Sequence, residues 1–130
     1  MFAKEALNDH QRTLRMRGRP KIKLARTYEE AVRIFNQYRD NMLGIISDMS
    51  FMHDGVKDPY AGYKFGQYVR KTGLIIPFVL ESSEASNKVY AKELGASFID
   101  KNSKSYPQDL RKKIMQRFGF DGHFSYKQRI

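Results

Sequence analysis

Along this chain, short continuous apolar runs alternate with stretches whose apolar residues recur every three or four positions. The first pattern is that of buried strands and the second that of helices with one face covered. Segment 2–17 has no Pro or Gly. Leu7, Gln11 and Leu14 share a moderately apolar face, so a helix is expected, stopped by Gly18 and Pro20. Segment 21–25 alternates and reads as a short strand. Thr27 then stands three residues before Glu30, a capping box that opens a helix carrying Ala31, Phe35 and Tyr38 on one stripe. The run 43–47 predicts a strand ending at Asp48. A loop follows over 49–59, with Asp54-Gly55 as its turn signal.

The second half repeats the pattern. A helix over 60–71 turns Ala61, Phe65, Tyr68 and Val69 inward and stops at Gly73. The strongest apolar run, 74–80, predicts a strand. Ser82, Ser83 and Glu84 cap the next helix, in which Val89, Tyr90 and Leu94 pack and Gly95 is the C-cap. Segment 96–100 is a last strand. A helix near Pro107 buries Leu110, Ile114 and Phe118 and is closed by Gly119. Alternation of helices with apolar strands predicts an α/β fold, a parallel sheet with helices on both faces. The expected organisation is an N-terminal helix over 1–19, a domain over 20–119 and a tail over 120–130.

Composition narrows the class. A chain of 130 residues with 41% apolar and 13% aromatic residues has material for one core and is not a disordered polymer. With no cysteine it has neither a disulfide framework nor a thiolate metal site. Its three histidines show no ligand spacing. No apolar run is long enough to span a bilayer, and the N-terminal residues lack an apolar signal region. A soluble cytoplasmic protein without membrane partners is therefore expected. The net charge of +10 is concentrated at the ends, with a mildly acidic middle. Solvated helix faces account for such terminal runs.

In open parallel sheets, ligands lie outside the carboxyl ends of the strands. The expected strand ends deliver Asp48, then Glu81, Ser82 and Ser83, then Lys101. A carboxylate, a hydroxyl and an ammonium at one edge suit phosphoryl chemistry, with the carboxylate as nucleophile and the other two meeting the transferred oxygens. Each also has a plainer role: Asp48 as a strand-ending residue, Ser82 or Ser83 as an N-cap, Lys101 as a solvated cation.

The runs Ile45-Ile46-Ser47-Asp48, Pro77 to Glu84 and Gly95 to Lys101 resemble the receiver domains of two-component response regulators over about residues 20–118. The resemblance implies a flavodoxin-like fold and a phosphorelay role. Asp48 would be the phosphoacceptor, Ser82 the switch hydroxyl and Lys101 the lysine that pairs with the phosphoryl group. The backbone carbonyl of Ser50, with Asp48, would ligate Mg2+. A histidine kinase or small phosphodonor would supply the phosphoryl group, and an output module or protein would read it. Asp100-Lys101-Asn102-Ser103 and Phe118-Gly119-Phe120 are similar, more narrowly, to receiver-like domains ahead of pyruvate,phosphate dikinase or phosphoenolpyruvate synthase-type modules. The family's first strand, ending in an acidic pair that holds Mg2+, has no counterpart before Lys21, and Met52 stands where the family carries Pro. Mg2+ binding is accordingly expected to be weak or absent. The same fold without phosphotransfer, a pseudo-receiver that binds other proteins, is the alternative.

Two further expectations follow. Arg17-Gly18-Arg19-Pro20 matches the centre of an AT-hook, but it joins a helix to a strand rather than lying in low-complexity surroundings, which argues against DNA binding. A missing first strand would leave an open row between 21–25 and 43–47. The chain would slide these together, fill the row with a tail strand such as 123–128, or exchange elements in a homodimer.

Overall fold

A computed structural model describes residues 2–3 and 21–118. In chain order its elements are β1 (Phe2–Ala3), β2 (Lys21–Ile22), α1 (Tyr28–Tyr38), β3 (Met42–Asp48), β4 (Phe51–His53), β5 (Val56–Asp58), α2 (Ala61–Lys71), β6 (Phe78–Ser82), α3 (Lys88–Leu94), β7 (Ser97–Asp100) and α4 (Tyr106–Phe118). Short 3-10 turns at Arg39–Asn41 and Ala85–Asn87 precede β3 and α3. The protein is α/β. Strands β3, β6 and β7 pair in parallel, Asp48 opposite Glu81 and Ser82 opposite Asp100. The whole sheet has the order β2-β1-β3-β6-β7, and β1 runs antiparallel to both its neighbours.

The pleat of the parallel strands sorts side chains into two cores. On one face Ile45, Phe78 and Leu80 pack with Ala31 and Phe35 of α1, Phe65 and Val69 of α2, and Ala91 of α3. Phe65 meets Phe35 and Phe78 with ring centroids 6.2 Å apart in each case. On the other face Val79 and Ile99 pack with Leu110, Ile114 and Phe118 of α4, at the four-residue spacing read from the sequence. The Thr27 cap forms as expected, its hydroxyl accepting the Glu30 amide at 3.1 Å. Gly95 ends α3 at φ +64°, a left-handed conformation that glycine adopts without steric cost.

Several elements differ from the sequence reading. Phe2–Ala3 is a strand, not the start of a helix, and it takes the place between β2 and β3. None of the three expected ways of closing that row placed Phe2–Ala3 in it, because an antiparallel insertion into a parallel sheet leaves no periodic signal in two residues. The rest of the expected N-terminal helix, the Arg-Gly-Arg-Pro run, Gly119 and the tail lie outside the described residues. The expected 49–59 loop contains a hairpin, β4–β5, turning through Asp54 (φ +52°) and Gly55 (φ +78°). Paired left-handed residues with Asp-Gly chemistry make that two-residue turn. The strand expected over 74–80 is Phe78–Ser82 instead; Ile75 is 95% exposed, so apolar content alone misplaced its start. Ser82 therefore ends a strand rather than opening a helix, and Val89, expected to pack, is exposed.

The start of α2 lies directly against the end of β3. Gly62 donates its amide to the Met49 carbonyl at 2.8 Å, and a Cβ there would stand 2.1 Å from the Asp48 carbonyl oxygen. A Cβ at Gly66 would instead meet the flexible tip of Leu94 at 2.4 Å. Backbone cannot step aside as a leucine can. Urea denaturation is therefore expected to show Gly62→Ala losing about 1–3 kcal/mol, and Gly66→Ala losing less.

Candidate functional site

Parallel pairing carries the ends of β3, β6 and β7 to one edge of the sheet. The Met49 amide donates to the Glu81 carbonyl at 2.9 Å, and the Lys101 amide donates to the Ser82 carbonyl at 2.9 Å. The three strand ends are thus stitched together at the point where their side chains leave the core. Asp48 is the last residue of β3, Ser82 the last of β6, and Lys101 follows β7. The Lys101 side chain reaches past β6, and its Nζ lies 2.7 Å from Asp48 Oδ1. The approach is off the hydrogen-bond direction, so Oδ1 is charge-paired yet buried with no hydrogen bond.

Ser82 is 7% exposed. Its Oγ accepts the Glu84 amide and the Asn87 side-chain amide, each at 3.0 Å. The hydroxyl therefore fixes the segment leading into α3 from the strand end, not as the helix N-cap expected from sequence, since Asn87 holds that position, while its own proton has no acceptor among the described residues. The Asn102 side chain holds the same segment by donating to the Ser83 carbonyl at 2.8 Å. Ser50 sits two residues beyond Asp48, and both line a cavity of about 360 Å3 that runs back between β3 and residues 22–27.

One buried acid was noted in the sequence only as a strand-end residue. Glu81 is 1% exposed inside β6, and its Oε2 accepts the Tyr106 hydroxyl at 2.6 Å. A burial-based signal was present, since the residue follows the apolar run 74–80, but its partner is 25 residues away.

This edge is poorly furnished for a divalent cation. Lys101 lies 2.7 Å from Asp48, so its positive charge offsets much of the attraction the carboxylate would offer a dication. Mg2+ takes its ligands from hard oxygens, with carboxylates supplying the charge, and Asp48 belongs to no cluster of three ligating side chains among the described residues. The described residues do not by themselves fit Mg2+. The one such cluster is elsewhere: Glu29, His53 and Asp54 bring ligand atoms within 4.8 Å of one another. The sequence spacing hid it, because the β4–β5 hairpin folds over the start of α1. Glu29 is already engaged there. Its Oε1 accepts the Asp54 amide at 2.6 Å, and that backbone hydrogen bond lowers its pKa. The His53 ring stacks on Tyr28 at 4.1 Å.

No protein-family model matches this chain, and no curated protein or solved structure is significantly similar to it. Among the described residues no helix is long and apolar enough to cross a membrane.

The hairpin is tied to α2 by Asp58, whose Oδ2 lies 2.7 Å from Lys64 Nζ and 3.3 Å from His53 Nδ1 while its Oδ1 accepts the Tyr60 amide. The Lys64 hydrogen bond, then the Tyr60 amide, hold the Asp58 pKa at about 2. A carboxylate depressed on folding stabilises the native state above its unfolded value of about 3.9. That contribution is lost as pH falls through about 2. Melting temperatures measured from pH 6 down to pH 2 are expected to fall more steeply for the wild type than for Asp58→Asn, which starts lower and lacks this titration.

Proposed function

We propose that this chain is a receiver-like regulatory module of flavodoxin-like topology that accepts a phosphoryl group on Asp48. The observation that carries the reading is the contact of Lys101 with Asp48 across the end of the strand that bears Ser82. The strand order β2-β1-β3-β6-β7 supports it, as does the edge at which these groups meet. In the proposed step an Asp48 carboxylate oxygen attacks the phosphorus of a phosphohistidine or small acyl phosphate. The oxygen–phosphorus bond forms as the donor's bond to phosphorus breaks, and the donor leaves with the bonding pair. Lys101 then faces the transferred oxygens, and the unspent Ser82 proton is the donor within the adjoining strand end.

The output follows from what Ser82 already holds. Drawing its hydroxyl toward Asp48 weakens the bonds from Glu84 and Asn87, and so loosens the segment before α3. The surface of 84–94 and the β7 edge is then the face read by an output partner.

A specific observation favours a second reading, the pseudo-receiver. Asp48 is already neutralised by Lys101 and has no second carboxylate clustered with it among the described residues. In that case the same face binds a protein partner without phosphotransfer. Intact-mass spectrometry after acetyl phosphate, with and without Mg2+, separates the two. The first reading expects a single phosphoryl adduct on the wild type and none on Asp48→Asn. Equal adducts on both proteins would sink Asp48 as the acceptor. An unmodified wild type, with its fold intact by circular dichroism, would leave the pseudo-receiver.

A further inference from the structure

The backbone at Ser82 is pinned to the residues that follow β7. Its carbonyl accepts the Lys101 amide at 2.9 Å, and the Ser83 carbonyl accepts the Asn102 side chain at 2.8 Å. The Glu84 amide, two residues on, donates to Ser82 Oγ at 3.0 Å and so sets the side-chain rotamer. Asn87 reaches back from the N-cap position of α3 and donates its side-chain N–H to the same oxygen, also at 3.0 Å.

A serine hydroxyl has two acceptor lone pairs and one donor hydrogen. At Ser82 two N–H donors occupy both lone pairs, so the proton is all that remains of its hydrogen-bonding capacity. The bond from Glu84 comes from the backbone and forms whatever side chain stands there. The bond from Asn87 comes from a side chain, and its direction depends on the residue at that position. An amide N–H leaves Ser82 a donor. A carboxylate oxygen in its place would take up the Ser82 proton. The Asn87 side chain makes no capping hydrogen bond to α3 and serves Ser82 instead.

We infer that Asn87 is a positioning residue for phosphoryl transfer to Asp48, acting through Ser82: by donating to the serine oxygen it confines that hydroxyl to the role of donor toward a transferred phosphoryl oxygen. The inference rests on Asp48 being the phosphoacceptor. With acetyl phosphate, the Asp48 oxygen–phosphorus bond forms as the bond to acetate breaks, and acetate leaves with the bonding pair. The transferred oxygens carry the negative charge and are met by donors. Lys101, 2.7 Å from Asp48, is one. Ser82 is the other, for as long as Asn87 keeps its proton free. Asn87 thereby links the hydroxyl to the first residues of α3, from a position outside the strand ends that carry the reacting groups.

The test uses the full 130-residue chain with acetyl phosphate at neutral pH, and follows the rate of adduct formation by intact-mass spectrometry. Asn87→Asp keeps a hydrogen bond to Ser82 but reverses its direction. Asn87→Leu removes the bond and leaves the proton free. Asn87→Asp is expected to slow the adduct about tenfold or more, the size of one hydrogen bond to a charged oxygen, and Asn87→Leu about threefold or less. Amide hydrogen exchange over 83–88 should show the opposite order, near the wild type for Asn87→Asp and faster for Asn87→Leu. A purely structural tether would suffer more from leucine than from aspartate in both measurements, and that result overturns the proposal. In a Ser82→Ala background Asn87→Asp should change the rate less than about twofold, because no hydroxyl is left to reorient. An undiminished loss there would be plain charge repulsion, and overturns it equally. Equal rates for the wild type and Asn87→Asp overturn this inference alone. A wild type that forms no adduct overturns Asp48 as the phosphoacceptor, and this inference with it.

Discussion

The parallel pairing of β3, β6 and β7 is the constraint on which the rest depends. Parallel strands all finish at one edge, so whatever follows each strand is delivered to the same few ångströms. Here that edge receives an aspartate, a serine and a lysine from segments 34 and 19 residues apart along the chain. The backbone bonds from Met49 to Glu81 and from Lys101 to Ser82 fix the three exits relative to one another before any side chain is considered. The ion pair between Asp48 and Lys101 is a consequence of that stitching. The pair is half-buried, with the Asp48 oxygen inside and the lysine partly in solvent.

The same edge is coupled to its surroundings through backbone rather than through long side-chain chains. Gly62 lets α2 touch the Asp48–Met49 peptide, so a shift of that peptide is felt by the helix at once. Ser82 holds the entry to α3 through Glu84 and Asn87. Tyr106 at the start of α4 reaches Glu81, and so ties the opposite face of the sheet to the same strand end. Helices on both sides are therefore in direct contact with the strand termini.

Among the described residues the central row of the sheet is the least filled. Two antiparallel residues hold the lower part, and beyond them the described residues line a cavity in which Ile22, Leu24, Ile45 and Ile46 stand with Asp48 and Glu81. Open strand edges invite pairing with other chains, and proteins ordinarily cover or blunt them.

Much of this was legible in the residues. The capping box at Thr27, the Gly95 terminus, the apolar ladder Leu110-Ile114-Phe118 and the runs leading to Asp48 and Asp100 are local signals. Each rests on the conformational preference or burial of residues close in sequence, and each reappears in the fold. From them the α/β class and the strand-end positions of Asp48, Ser82 and Lys101 could be read. The sequence did not determine which residues would occupy the row beside β3, where β6 would begin, or that 49–59 would fold as a hairpin bringing His53 to Glu29. Those outcomes depend on pairing between distant backbone segments, whose hydrogen bonds are indifferent to side-chain identity. Only the assembled sheet decided them: the row next to β3 went to the chain's own N-terminal residues at Phe2 and Ala3.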